Sequence, residues 1–90
     1  MTENDAREET GLEVEVRLFS GLEKFFPAAG LGKACLVRVP EGATGSDLIR
    51  QLNIPADQVF TMFVNGRHAT LDQVLAFGDR VALFPPVGGG

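Results

Sequence analysis

From Glu13 to Leu18 the chain alternates charge and hydrocarbon at every step: Glu13-Val14-Glu15-Val16-Arg17-Leu18. Period two is the period of a strand, so Val14, Val16 and Leu18 share one face and Glu13, Glu15 and Arg17 share the other. A strand with one apolar and one charged face calls for a sheet covered on one side only. Ninety residues leave room for a single such domain. The alternation continues to Phe19, which places an aromatic ring on the charged face.

The rest of the chain supplies the other layers. Ser20 stands three residues before Glu23, a capping-box spacing that predicts a short helix from Leu22 to Phe26, ended by Pro27 and Gly30. Ala34 to Val39 reads as a second strand closed by Pro40, with a turn at Glu41-Gly42. Thr44 or Ser46 caps a helix whose Leu48, Ile49 and Leu52 form an apolar face, and Pro55 lies beyond its end. Val59 to Val64 reads as a third strand. Asn65-Gly66 signals a type I′ hairpin returning through Arg67 to Thr70. Leu71 to Phe77 reads as a single helical turn with Leu71, Val74 and Leu75 inward. After a turn at Gly78-Asp79, the last strand runs from Arg80 to Phe84, with Val81 and Leu83 inward and Ala82 and Phe84 outward.

This order predicts an α+β fold of the ubiquitin-like β-grasp kind. A mixed sheet of about five strands has its first and last strands adjacent, and one main helix packs on one face. The predicted organisation is an acidic, disordered tail over residues 1–11, the domain over 12–87, and a flexible glycine tail over 88–90. The first eleven residues carry Glu3, Asp5, Arg7, Glu8 and Glu9 and almost no apolar side chain to offset the cost of ordering.

Composition narrows the function. At 44% hydrophobic and 22% charged this is an ordinary soluble composition. A domain this small has little core to give up to a water-excluding pocket, which favours a carrier or binding module over an enzyme. The net charge of −4 argues against a nucleic-acid partner. No apolar stretch is long enough for a membrane helix, and the start does not read as a secretion signal. Cys35 is the only cysteine, which excludes an internal disulfide and is consistent with the cytoplasm. With one cysteine and one histidine, His68, there is no metal-ligand spacing and no cofactor motif. Gly42-Ala43-Thr44-Gly45-Ser46 lacks the lysine and spacing of a phosphate loop and reads as a turn and helix cap.

The chemistry lies in the ending, Phe84-Pro85-Pro86-Val87-Gly88-Gly89-Gly90. Pro85 and Pro86 stop the sheet and favour an extended chain. Three glycines then give the backbone its greatest freedom and let it pass a channel too narrow for any Cβ. Six residues past Phe84 reach at most about 20 Å. A terminal carboxylate without a neighbouring side chain is open to attack on its carbonyl. A frayed terminus is the alternative.

The run from Gly78 to Gly90 resembles the ending of the small subunits of molybdopterin synthase, within the ubiquitin-like sulfur-carrier family that includes the thiamine-pathway carriers. The Val64-Asn65-Gly66 hairpin, the opening Val16-Arg17-Leu18-Phe19 and the short helix after the first strand resemble that family too. The likeness covers residues 12–90; the acidic start is extra.

The resemblance implies a carrier and non-catalytic subunit, with Gly90 as the reactive end and Gly88 and Gly89 as its tether. An ATP-dependent, E1-like activating enzyme adenylates the Gly90 carboxylate, and a persulfide donor replaces AMP to leave a thiocarboxylate. The tail then enters a synthase large subunit, and its sulfur passes to a pterin precursor for a molybdenum or tungsten cofactor. Phe19, His68 and Phe84, with Pro85, Pro86 and Val87, are the implied partner contacts. Sulfur donation to thiamine, cysteine or tRNA thiolation remains an alternative, as does conjugation of Gly90 to target proteins. Cys35, at the start of a strand with no base beside it in sequence, reads as a packing residue.

Overall fold

The computed structural model describes residues 11–26 and 33–86. The first strand, β1, runs Gly11–Leu18, so Gly11 belongs to the sheet and not to the acidic tail. It pairs antiparallel with β2 (Cys35–Pro40) on one side and parallel with β5 (Arg80–Phe84) on the other. β3 (Thr61–Val64) joins the far edge of β5, and β4 (Arg67–Ala69) joins β3. The order β2-β1-β5-β3-β4 puts the first and last strands side by side at the centre, the β-grasp arrangement.

Strand alternation builds the core. Val14, Val16, Leu18, Val37, Val39, Met62, Val64, Val81 and Leu83 are buried on one face. Helix α1 (Gly45–Gln51) covers that face with Leu48 and Ile49, and Leu52 follows at its C-cap. Its start is a complete capping box. The Asp47 amide donates to Thr44 Oγ1 at 3.3 Å, and the Thr44 amide donates to Asp47 Oδ2 at 3.0 Å. Gly45 is needed for space: a Cβ there would lie 2.7 Å from Met62 Sδ and 3.2 Å from the Leu71 carbonyl oxygen.

Two local expectations are corrected. Leu71 to Phe77 forms no helical turn. Leu71 and Asp72 sit in a turn closed by the Gln73 amide, which donates to the Thr70 carbonyl, and the segment satisfies free amides at the N-terminus of α1: Gly45 N–H donates to the Gln73 carbonyl and Ser46 N–H to the Leu71 carbonyl. Val74 pairs with Thr44 as an isolated bridge and is exposed, whereas Leu75 is buried as expected. The short helix after β1 is 3₁₀ (Leu22–Phe25), and Ser20 does not cap it. Ser20 and Gly21 both take positive φ, and Glu23 Oε1 accepts from the Gly21 amide at 3.0 Å. Half of the predicted box therefore forms, shifted by one residue. A second 3₁₀ turn (Ala56–Gln58) precedes β3 and shortens that strand at its start.

The Asn65-Gly66 turn has φ of 55° and 82°, the type I′ signature. Asn65 also ties the hairpin to β5. Its Nδ2 donates to Asp79 Oδ1 and its Oδ1 accepts from the Arg80 amide, both at 2.9 Å. Pro27, Gly30, residues 1–10 of the predicted acidic tail, Val87 and the predicted glycine tail at 88–90 lie outside the described residues.

Candidate functional site

The face of the sheet opposite α1, which no described helix covers, carries the residues that alternation sends outward. Register sets them in rows. Arg17 stands beside Ala82, Ala82 beside Phe63, and Phe63 beside His68. One step along, Phe84 stands beside Thr61. Phe19 follows β1 directly and is held there by its amide, which donates to the Leu83 carbonyl at 3.2 Å.

Four rings meet across these rows. Phe19 and Phe84 stack with centroids 4.7 Å apart and planes 5° from parallel. Phe63 meets Phe84 edge-on at 5.9 Å, and His68 meets Phe63 edge-on at 5.7 Å. The stack leaves Phe19 and Phe84 half-buried, less open than alternation alone implies, because each ring shields the other. Ala82 is small, so the centre of the face sinks into an open hollow of about 530 Å³ walled by Phe19, Phe63, Phe84 and the Arg17 side chain. Glu15 pairs with Arg17 at 3.1 Å on its rim. An apolar centre with a charged rim has the anatomy of a protein docking surface.

The structure brings Phe19, Phe84 and His68 onto this one face, with His68 at its edge and exposed. Pro85, half-buried, and Pro86, exposed, leave the sheet next to the Phe84 ring. Val87, Gly88, Gly89 and Gly90 lie outside the described residues. Phe63 was missed from the sequence, although the signal was present: if Met62 and Val64 point inward, the residue between them points out. Cys35 is half-buried and packs against the core.

Of the titratable groups, Asp47 departs from its ordinary range. The Thr44 amide and then the Arg50 guanidinium hold its carboxyl below the usual carboxylate value. It belongs to the helix cap and not to the aromatic face. Among the described residues no group of three or more His, Cys, Asp or Glu is placed to hold a metal ion. None of the described helices is long and apolar enough to cross a membrane.

A family model described as the ThiS family matches residues 25–90. In structure the chain is similar to small archaeal modifier protein 1 of Haloferax volcanii, at 28% identity over 84% of this chain and 99% of that one, with a TM-score of 0.64. It is equally similar to a Pyrococcus furiosus chain described as a candidate molybdopterin converting factor, subunit 1: 30% identity, 84% and 99% coverage, TM-score 0.64. A complex of subunits 1 and 2 of molybdopterin-converting factor from Helicobacter pylori shares the fold, at 21% identity, 88% and 100% coverage and a TM-score of 0.56. No curated protein matches the sequence.

Proposed function

Because the chain belongs to the ThiS family of ubiquitin-like sulfur carriers, we propose that Gly90 is its working end and that the sulfur it carries is used to build molybdopterin. The observation that carries this reading is the placement of the tail root. β5 runs under the aromatic cluster, ends at Phe84 within it, and passes into Pro85-Pro86. A partner docked on the face formed by Phe19, Phe63, Phe84 and His68 therefore meets the start of the tail in the same contact.

The chemistry divides between carrier and partners. An activating enzyme joins the Gly90 carboxylate to AMP and releases pyrophosphate, turning a poor electrophile into a good one. The outer sulfur of a persulfide bonds to the carbonyl carbon and AMP leaves. A thiol then attacks the donor's own sulfur in the sulfur–sulfur bond, forming a disulfide with it, and the thiocarboxylate is released on Gly90. Each step needs a base, an oxyanion site and exclusion of water, which the partners supply. The carrier contributes an unhindered carbonyl, a narrow tether and the docking face. It acts as co-substrate and as the small subunit of a synthase whose large subunit receives the tail. Such chemistry runs on free thiols, which suits a reducing cytoplasm. The likeness to the Pyrococcus furiosus chain supports the molybdopterin branch.

A second reading has an observation of its own, the equal likeness to small archaeal modifier protein 1. There the activated Gly90 is passed to a lysine amine of a target protein. The two readings share activation and differ in the acceptor. Incubating the chain with an activating enzyme, ATP and a persulfide donor, then with either a synthase large subunit and pterin precursor or a cell extract, tests both. Sulfur transferred to the pterin supports the carrier. Amide-linked conjugates without sulfur transfer favour the modifier.

A further inference from the structure

Phe60 is 71% exposed, although it sits one residue before β3 and its neighbour Val59 is buried. It does not line the outer hollow, and no aromatic contact among the described residues occupies its ring. Its backbone is nonetheless fixed, because its amide donates to the Phe84 carbonyl at 2.9 Å. That bond is the last tie between the β3 side of the sheet and the end of β5. The next two residues, Pro85 and Pro86, have no amide with which to continue the ladder. Phe60 is thus pinned to the point where the chain leaves the sheet.

We propose that Phe60 is a second docking anchor, seated in an apolar recess at the lip of the opening through which the activating enzyme takes in the tail. The inference rests on the functional reading above. It follows from the shortness of the tether: the four residues beyond Pro86 span at most about 14 Å. An enzyme that reaches the Gly90 carbonyl in a closed site must bring the mouth of that site up to Pro86. It then meets whatever surrounds the Phe84 carbonyl, and the exposed group bonded there is Phe60. Phe19, Phe63 and Phe84 hold the partner on the outer face, while Phe60 fixes how the root of the tail is presented. Phe60 is a positioning residue and touches no reacting atom.

Phe77 supplies the control. It is 75% exposed but lies before the opposite end of β5, away from the tail root. ATP–pyrophosphate exchange by the purified activating enzyme is measured against carrier concentration for the unaltered chain, Phe60→Ser, Phe60→Leu and Phe77→Ser, with a thermal melt of each. Phe60→Ser is expected to raise KM about tenfold, an ordinary size for a lost anchor. Its kcat and melting temperature should stay unchanged. Phe60→Leu should recover most of the loss, and Phe77→Ser should match the unaltered chain. Equal KM for Phe60→Ser and the unaltered chain, or an equal loss in Phe77→Ser, overturns the anchor and leaves the functional reading standing. A loss in Phe60→Ser that is matched by its melt and not relieved by Phe60→Leu also overturns it. No exchange with the unaltered chain overturns both.

Discussion

The rings of Phe19 and Phe84, sixty-five positions apart in the chain, stack at 4.7 Å because parallel pairing of β1 with β5 sets their strand ends side by side. The stack joins the start of the domain to the root of its tail. It also exposes a flat aromatic surface where a sheet face would otherwise be polar.

Stability and docking should separate along β5. Leu83 is fully buried, and Leu83→Ala should cost about 2–5 kcal/mol. Phe84 is half-buried, and its stack with Phe19 is worth about 0.5–1.5 kcal/mol beyond area burial. Chemical denaturation should therefore rank Leu83→Ala as the more damaging change. A binding titration with the activating enzyme should rank Phe84→Ala as the worse. The reverse order in either experiment contradicts the assignment of the outer face.

Gly45 sets two effects against each other. Exchanging glycine for alanine within a helix ordinarily gains about 1 kcal/mol. Here the new methyl would meet the Met62 side chain and the Leu71 carbonyl, inside a core with Met62 only 1% exposed. Overpacking of that kind costs about 1–3 kcal/mol, so Gly45→Ala should lower the denaturation midpoint. A raised midpoint would show that the 71–75 segment yields easily.

The α1 cap predicts an acid sensitivity. Thr44→Ala should cost about 0.5–2 kcal/mol, the usual range for a lost N-cap. Asp47 has its folded-state pKa lowered, first by the Thr44 amide and then by Arg50. Its contribution is complete above the ordinary carboxylate pKa and is lost as pH falls through the lowered folded value. Stability curves of the unaltered chain and Asp47→Asn should differ at neutral pH and converge in strong acid. A constant gap down to the lowest pH would remove Asp47 from the cap.

The inward and outward faces of the first strand were readable because Glu13 to Leu18 alternates strictly and one face had to be buried, and the last strand, Arg80 to Phe84, followed the same period within an apolar run. Thr44 with Asp47, and Asn65 with Gly66, carried their local conformations in side-chain chemistry. Leu71 to Phe77 was misread because its apolar spacing suits a helical turn. Its carbonyls at Leu71 and Gln73 instead accept from the amides at the start of α1, a demand from a segment more than twenty residues earlier. Ser20 does not cap the helix because positive φ at Ser20 and Gly21 puts Gly21 at the N-cap, while the helix still starts at Leu22. On the docking face, Phe19 and Phe84 stood out as aromatic residues on outward positions. Phe63 lay hidden in an apolar run, and Phe60 took its meaning only from the hydrogen bond to Phe84.

The central claim is that chemistry happens at Gly90. The most direct measurement is mass spectrometry of the C-terminal peptide after the chain is incubated with activating enzyme, ATP and a persulfide donor. The assay uses both the unaltered chain and Cys35→Ala, since oxidation of Cys35 gives a nearly equal mass change. The account predicts the mass gain of one oxygen replaced by sulfur on Gly90, undiminished in Cys35→Ala and absent when residues are added after Gly90. Loss of the gain in Cys35→Ala, or an unmodified C-terminal peptide in the presence of all three reagents, would contradict it.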